Sequence, residues 1–122
     1  MCCTGMPKTL DEAVDFLTEN ENAKIIKEFK SRETFVNAFH HSTGRWIRNN
    51  WITWSKPSCL QTELARNYGL VHPDDMSSII LDCVWAKAHG AERRIEEMAE
   101  HCEKHWKWFG DPGWDPQGEH HA

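Results

Sequence analysis

The sequence predicts an all-α protein, and three observations carry that expectation. Apolar residues recur at the i, i+3, i+4, i+7 spacing of a helix face along most of the chain. Capping residues stand where those stripes begin, and no segment alternates polar with apolar residues as a half-buried strand would. The expected architecture is one compact domain of five or six short helices over residues 1–110, followed by an irregular tail over 111–122. With 122 residues the chain is long enough to bury one real core.

The elements follow in order. Thr9 with Glu12 forms a capping-box start, and Leu10, Ala13, Val14 and Leu17 share the first helix face. A second helix begins near Asn22 with Ile25, Ile26 and Phe29 inward, and it continues or restarts at Ser31 with Phe35, Ala38 and Phe39 until Gly44 punctuates it. Ile47, Trp51 and Trp54 then fall on one face of a short tryptophan-rich helix, which Lys56-Pro57 ends. Ser58 with Gln61 is another capping box, opening a helix through Leu60, Leu64 and Tyr68 to Gly69.

Pro73 suits a first helical position because its missing N–H would have no partner there, and Asp74 and Asp75 oppose the positive end of the helix dipole. Met76, Ile79, Ile80, Cys83 and Val84 make this the expected core helix, reaching Gly90. The last helix is expected from Ala91 to about Phe109, with Ile95, Met98, Ala99, Cys102, Trp106 and Phe109 inward. Arg93/Glu97, Glu100/Lys104 and Glu103/Lys107 are i,i+4 pairs on its wet side.

Composition narrows the function classes. A net charge of -5 argues against a general nucleic-acid binder, which would carry a basic surplus. No apolar run approaches the roughly 20 residues that a membrane helix needs. The start, Met-Cys-Cys-Thr-Gly-Met, lacks the charged and apolar regions of a secretory signal, so a cytoplasmic location is expected. The cysteines, Cys2, Cys3, Cys59, Cys83 and Cys102, are odd in number and widely spaced, as expected of reduced and mostly buried thiols.

The densest chemistry lies in Gly44–Trp54, Gly-Arg-Trp-Ile-Arg-Asn-Asn-Trp-Ile-Thr-Trp. Arg45, Arg48 and Asn49 share one helix face, and arginine forks beside the indoles of Trp46 and Trp51 suit a phosphate, a base or a carboxylate. The second segment is His72-Pro73-Asp74-Asp75-Met76-Ser77, which adds His72, Asp74 and Asp75 as candidate binding groups. Alternatively an arginine pairs with Asp74 or Asp75 and the tryptophans fill a core; the expectation is that Arg48 is structural and Arg45 free.

Together, Arg48-Asn49-Asn50-Trp51 and His72–Ser77 resemble the small uncharacterised domain DUF6794 of bacteria and their phages, over roughly Thr9 to Gly90. The resemblance implies a compact domain with a paired arginine-tryptophan and aspartate-rich signature. It implies no activity and supplies no catalytic residues. A phage association adds the expectation of a protein that modulates its host from within the host cytoplasm.

No Gly-x-Ser-x-Gly, P-loop, HExxH or GxGxxG is present, so no cofactor is expected. His101, His105 and Cys102 lack further ligands nearby, so no metal is expected either. The resulting expectation is a non-enzymatic helical binding protein whose partner is a host protein or a small anionic, nucleotide-like ligand. Seven tryptophans exceed the needs of such a core, and surplus indole suggests an interface, including one that forms a homo-oligomer. The alternatives are an enzyme on a nucleotide-like substrate, using His72, Asp74 or Asp75 with Arg48, and a purely structural helical module.

Overall fold

The computed structural model describes residues 6–21, 23–52 and 57–108, and every regular element among them is an α-helix. In chain order these are α1 (Leu10–Asn20), α2 (Ala23–Glu28), α3 (Arg32–Phe39), α4 (Thr43–Trp51), α5 (Cys59–Tyr68), α6 (Pro73–His89) and α7 (Ile95–Trp108). None is long and apolar enough to cross a membrane. Trp54 and the tail over 111–122 lie outside the described residues.

The all-α expectation holds, and the number of helices exceeds it because the chain breaks between α2 and α3. The Phe29 N–H closes a tight turn on the Ile26 carbonyl, and α3 restarts with its own cap, the Ser31 hydroxyl accepting from the Thr34 N–H. Gly44 does not punctuate α3 but lies inside α4. A Cβ there would stand 3.2 Å from Arg48 Nη1 and 3.3 Å from the Phe39 carbonyl oxygen, so the missing side chain lets α4 begin against the end of α3.

Three caps form as the sequence indicates. Ser58 and Gln61 make both halves of a capping box, and Gly69 and Gly90 end α5 and α6 in the left-handed region at φ 71° and 67°. The box at Thr9 is only half made. Its hydroxyl accepts from Glu12 N–H, but the Glu12 carboxylate accepts from Lys8 N–H instead of Thr9.

Helix α6 is the axis of the fold. Of residues 76–86 all but Ser78 are buried, so this helix is covered all round rather than along one stripe, with α1, α2, α3, α4 and α7 packed on it. Leu10, Ala13, Val14 and Leu17 of α1 are buried as expected, as are Ile26 and Phe35. Ile25 and Ala38, expected inward, are exposed instead.

A charge sits inside this core. Asp82 is 1% exposed, and Arg32 of α3 grips both its oxygens through Nε and Nη2 while Arg94 reaches Oδ2 at 3.3 Å. Arg94 also donates to Glu33, and Arg93 donates to Asp11 of α1. These cross-fold bonds engage both arginines ahead of α7, which is why α7 starts at Ile95 rather than Ala91 and no Arg93/Glu97 pair forms. The Glu100–Lys104 pair does form, at 2.9 Å.

The thiols divide. Cys83 and Cys102 are free, as expected, and burial pushes them up to about 11 and about 12, with the Asp75 carboxylate adding to the effect at Cys102. Cys59 departs from the expectation of reduced cysteines: it is disulfide-bonded.

Candidate functional site

The outer face of α4 is built by the spacing of its residues. Gly44, Ile47 and Trp51 turn inward and are buried, which leaves Arg45, Trp46, Asn49 and Asn50 exposed. Trp46 keeps 41% of its surface in solvent. Against it lies Phe16 of α1, 44% exposed, with the two rings nearly parallel at a centroid separation of 6.1 Å and an angle of 7°. Trp51 is the floor beneath them, edge-on to Phe16 at 5.6 Å and to Trp46 at 5.1 Å.

The result is a ridge of two exposed rings resting on a third that is buried. Hollows of about 440 Å³ flank it on both sides. One is walled by Met6, Pro7, Glu12 and Asn50, the other by Leu17, Asn20, Glu21, Ser42 and Thr43. The Asn50 amide donates to the Trp46 carbonyl at 2.8 Å, and Thr43 donates to Glu21 across from α4 to α1 at 2.8 Å. The Thr43–Glu21 bond ties the start of α4 to the end of α1, while the Asn50 bond lies within α4.

The signature residues are separated by the fold. Arg48 is largely covered, donating from Nη1 to the Ser77 hydroxyl at 2.9 Å and from Nη2 to the His40 carbonyl at 3.2 Å, with Asp74 at 3.4 Å from Nε. Burial, and then the Arg48 charge, lower the His40 pKa from its ordinary value. Consecutive residues of a helix point about 100° apart, so Asp75 faces another way and stands against Cys102 of α7. His72 is the N-cap of α6 and gives it no side-chain cap. Arg48 and Asp74 therefore come together, Arg45, Trp46 and Asn49 lie on the open face of α4, and Trp51 is core.

This arrangement predicts unequal costs. Arg48→Ala should destabilise the fold by about 2 kcal/mol, since it removes charged hydrogen bonds to covered partners. Asp74→Ala should cost less than ~1 kcal/mol, because its side chain is 68% exposed. Urea denaturation of the two variants measures both; equal losses would contradict the geometry.

Two features escaped the sequence reading. Phe16 falls outside the Leu10–Leu17 stripe, and an aromatic residue off the apolar face was the available signal. Asp82 stood as a lone charge within the apolar run of α6. Among the described residues no group of three or more His, Cys, Asp or Glu is placed to hold a metal ion.

Among the described residues, helices packed around one buried helix, with an arginine of α4 clasping the start of α6, define a small helical module. The chain belongs to the DUF6794 family, a domain of unknown function whose model matches residues 6–88. The match takes in α1 to α5 and nearly all of α6, and leaves α7 outside it. No curated protein and no solved structure matches the chain.

Proposed function

We propose that this protein is a non-enzymatic binding module that docks a partner protein on the Phe16–Trp46 ridge, with Arg45 and Asn49 beside it. The observation that supports this reading most directly is the pair of stacked, exposed rings, two of the three large apolar side chains left open among the described residues. Tryptophan and arginine are the residues that most often anchor interfaces, and the flanking hollows give a partner's side chains somewhere to enter. In a phage-encoded copy the partner would be a host protein, met in the host cytoplasm.

A small anionic ligand at the arginines draws less support, because Arg48 is already held by Ser77, the His40 carbonyl and Asp74. The same engagement weighs against an enzyme that would use Arg48 to hold an anion for His72, Asp74 or Asp75. A homo-oligomer would bury the same ridge, and sedimentation at two concentrations separates that case from a foreign partner.

The test is affinity capture from native extract on immobilised protein, comparing the natural chain with Trp46→Ala and Phe16→Ala. A partner retained by the natural chain should bind each variant at least ~30-fold more weakly, the effect of losing about 2 kcal/mol at an interface anchor. Partners that bind all three equally would remove the ridge from the interface.

A further inference from the structure

On another part of the surface, the end of α2 and the end of α6 border an open hollow of about 580 Å³ lined by Lys27, Lys30, Trp85, Lys87, Ala88 and His89, with Gly90 at its edge. Among the described residues no carboxylate lines it, although the chain as a whole carries a net charge of -5. Lys87 is paired with Asp15. Lys27 and Lys30 have no ion-pair partner among the described residues, so two like charges face one cavity without compensation.

Helix-dipole complementarity accounts for a cation in the last turn of α2 and of α6, where Lys27, Lys87 and His89 stand. It does not account for Lys30, which lies past the end of α2 and lines the same cavity. The carbonyls at these helix ends are already capped: Gly90 and Ala91 N–H groups take those of Lys87 and Ala86, and Phe29 N–H and His89 Nε2 meet that of Ile26. The partial negative charge of the two helix ends remains, so any anion in the hollow depends on the lysine ammonium groups.

The wall is rigid. Trp85 donates its indole N–H to the Phe29 carbonyl at 2.8 Å, His89 stacks on its ring at 4.0 Å, and the Arg32 guanidinium lies 5.1 Å from the ring centroid. With both ring neighbours in place, the hollow offers lysine ammonium groups rather than a free stacking face.

We propose that this hollow binds a compact phosphate-bearing anion, held by Lys27 and Lys30 beside the Trp85–His89 wall. The site is independent of the aromatic ridge, and uses none of its residues. Two sources share this chemistry, free inorganic polyphosphate and a nucleoside diphosphate, and calorimetric titration of the full chain at low ionic strength with inorganic pyrophosphate and with ADP distinguishes them.

Similar affinities for both probes identify the diphosphate as the recognised group, and tighter binding of ADP identifies a nucleotide; either supports the site. In each case Lys27→Gln with Lys30→Gln should weaken binding by roughly 10-fold or more, the effect of losing charged hydrogen bonds, with an unchanged melting temperature. A charge-matched control, Lys8→Gln with Lys104→Gln, removes two exposed ammonium groups on other elements and should leave binding unchanged. No binding of either probe at ~10 mM, weaker than any specific diphosphate site, would overturn the proposal. So would equal losses in the control and the test variants, which would reduce the effect to net charge.

Discussion

Asp82→Ala is expected to destabilise the protein by ~3 kcal/mol, because it leaves the largely covered Arg32 without its carboxylate and Arg94 with Glu33 alone. Asp82 is 1% exposed and accepts from both Arg32 and Arg94, which join α3 and the segment before α7 to the central helix. Arg32→Ala should cost less, since its side chain also reaches solvent and the Asp82 carboxylate keeps Arg94. The double variant should be more stable than the sum of the two losses predicts, as the second change removes a charge that the first has already orphaned. Urea denaturation of the three proteins measures this coupling, and a loss under ~1 kcal/mol for Asp82→Ala would mean that water replaces the carboxylate.

The rim of the same network sets an acid limit. The Arg94 hydrogen bond, followed by the backbone N–H of Glu33 itself and the Ser31 hydroxyl, lowers the Glu33 pKa to about 2 from 4.5. A folded-state pKa below the unfolded one contributes stability that is present above about 4.5 and lost as pH falls from there toward about 2. Glu33 is exposed, so salt weakens this contribution.

The helices were legible in the sequence where local chemistry decides them. Thr9, Ser31, Ser58, Pro73, Gly69 and Gly90 act within a turn of themselves, and apolar stripes such as Leu10–Leu17 need only one partner surface to be buried. Less legible was whatever depends on which helices meet. Whether Gly44 ends a helix or lies within one is decided by Arg48 and Phe39, and whether Arg93 and Arg94 begin α7 is decided by Asp11, Glu33 and Asp82, all distant in sequence. The site divided along the same line. The spacing of α4 placed Arg45 and Asn49 on one side and Ile47 and Trp51 on the other, but only packing could place Arg48 on Asp74 and Phe16 on Trp46.

Trp51→Ala is expected to cost ~3–5 kcal/mol, the range for deleting a large aromatic side chain from a packed interior. Trp51 is 4% exposed, stands edge-on to both Phe16 and Trp46, and its carbonyl accepts from the Ser58 hydroxyl that caps α5. Its loss removes the floor of the ridge while the backbone bond to Ser58 stays available. Binding should therefore fall together with stability, and Trp51→Phe should restore much of both by refilling the volume with an aromatic ring. Trp46→Ala should do the opposite, leaving stability within about 1 kcal/mol while binding is lost, because its ring is 41% exposed and little of it is core. Thermal melts beside binding measurements on the two variants separate support from contact. If Trp46→Ala unfolded the protein as readily as Trp51→Ala, Trp46 would be a core residue and the ridge would not be a docking surface.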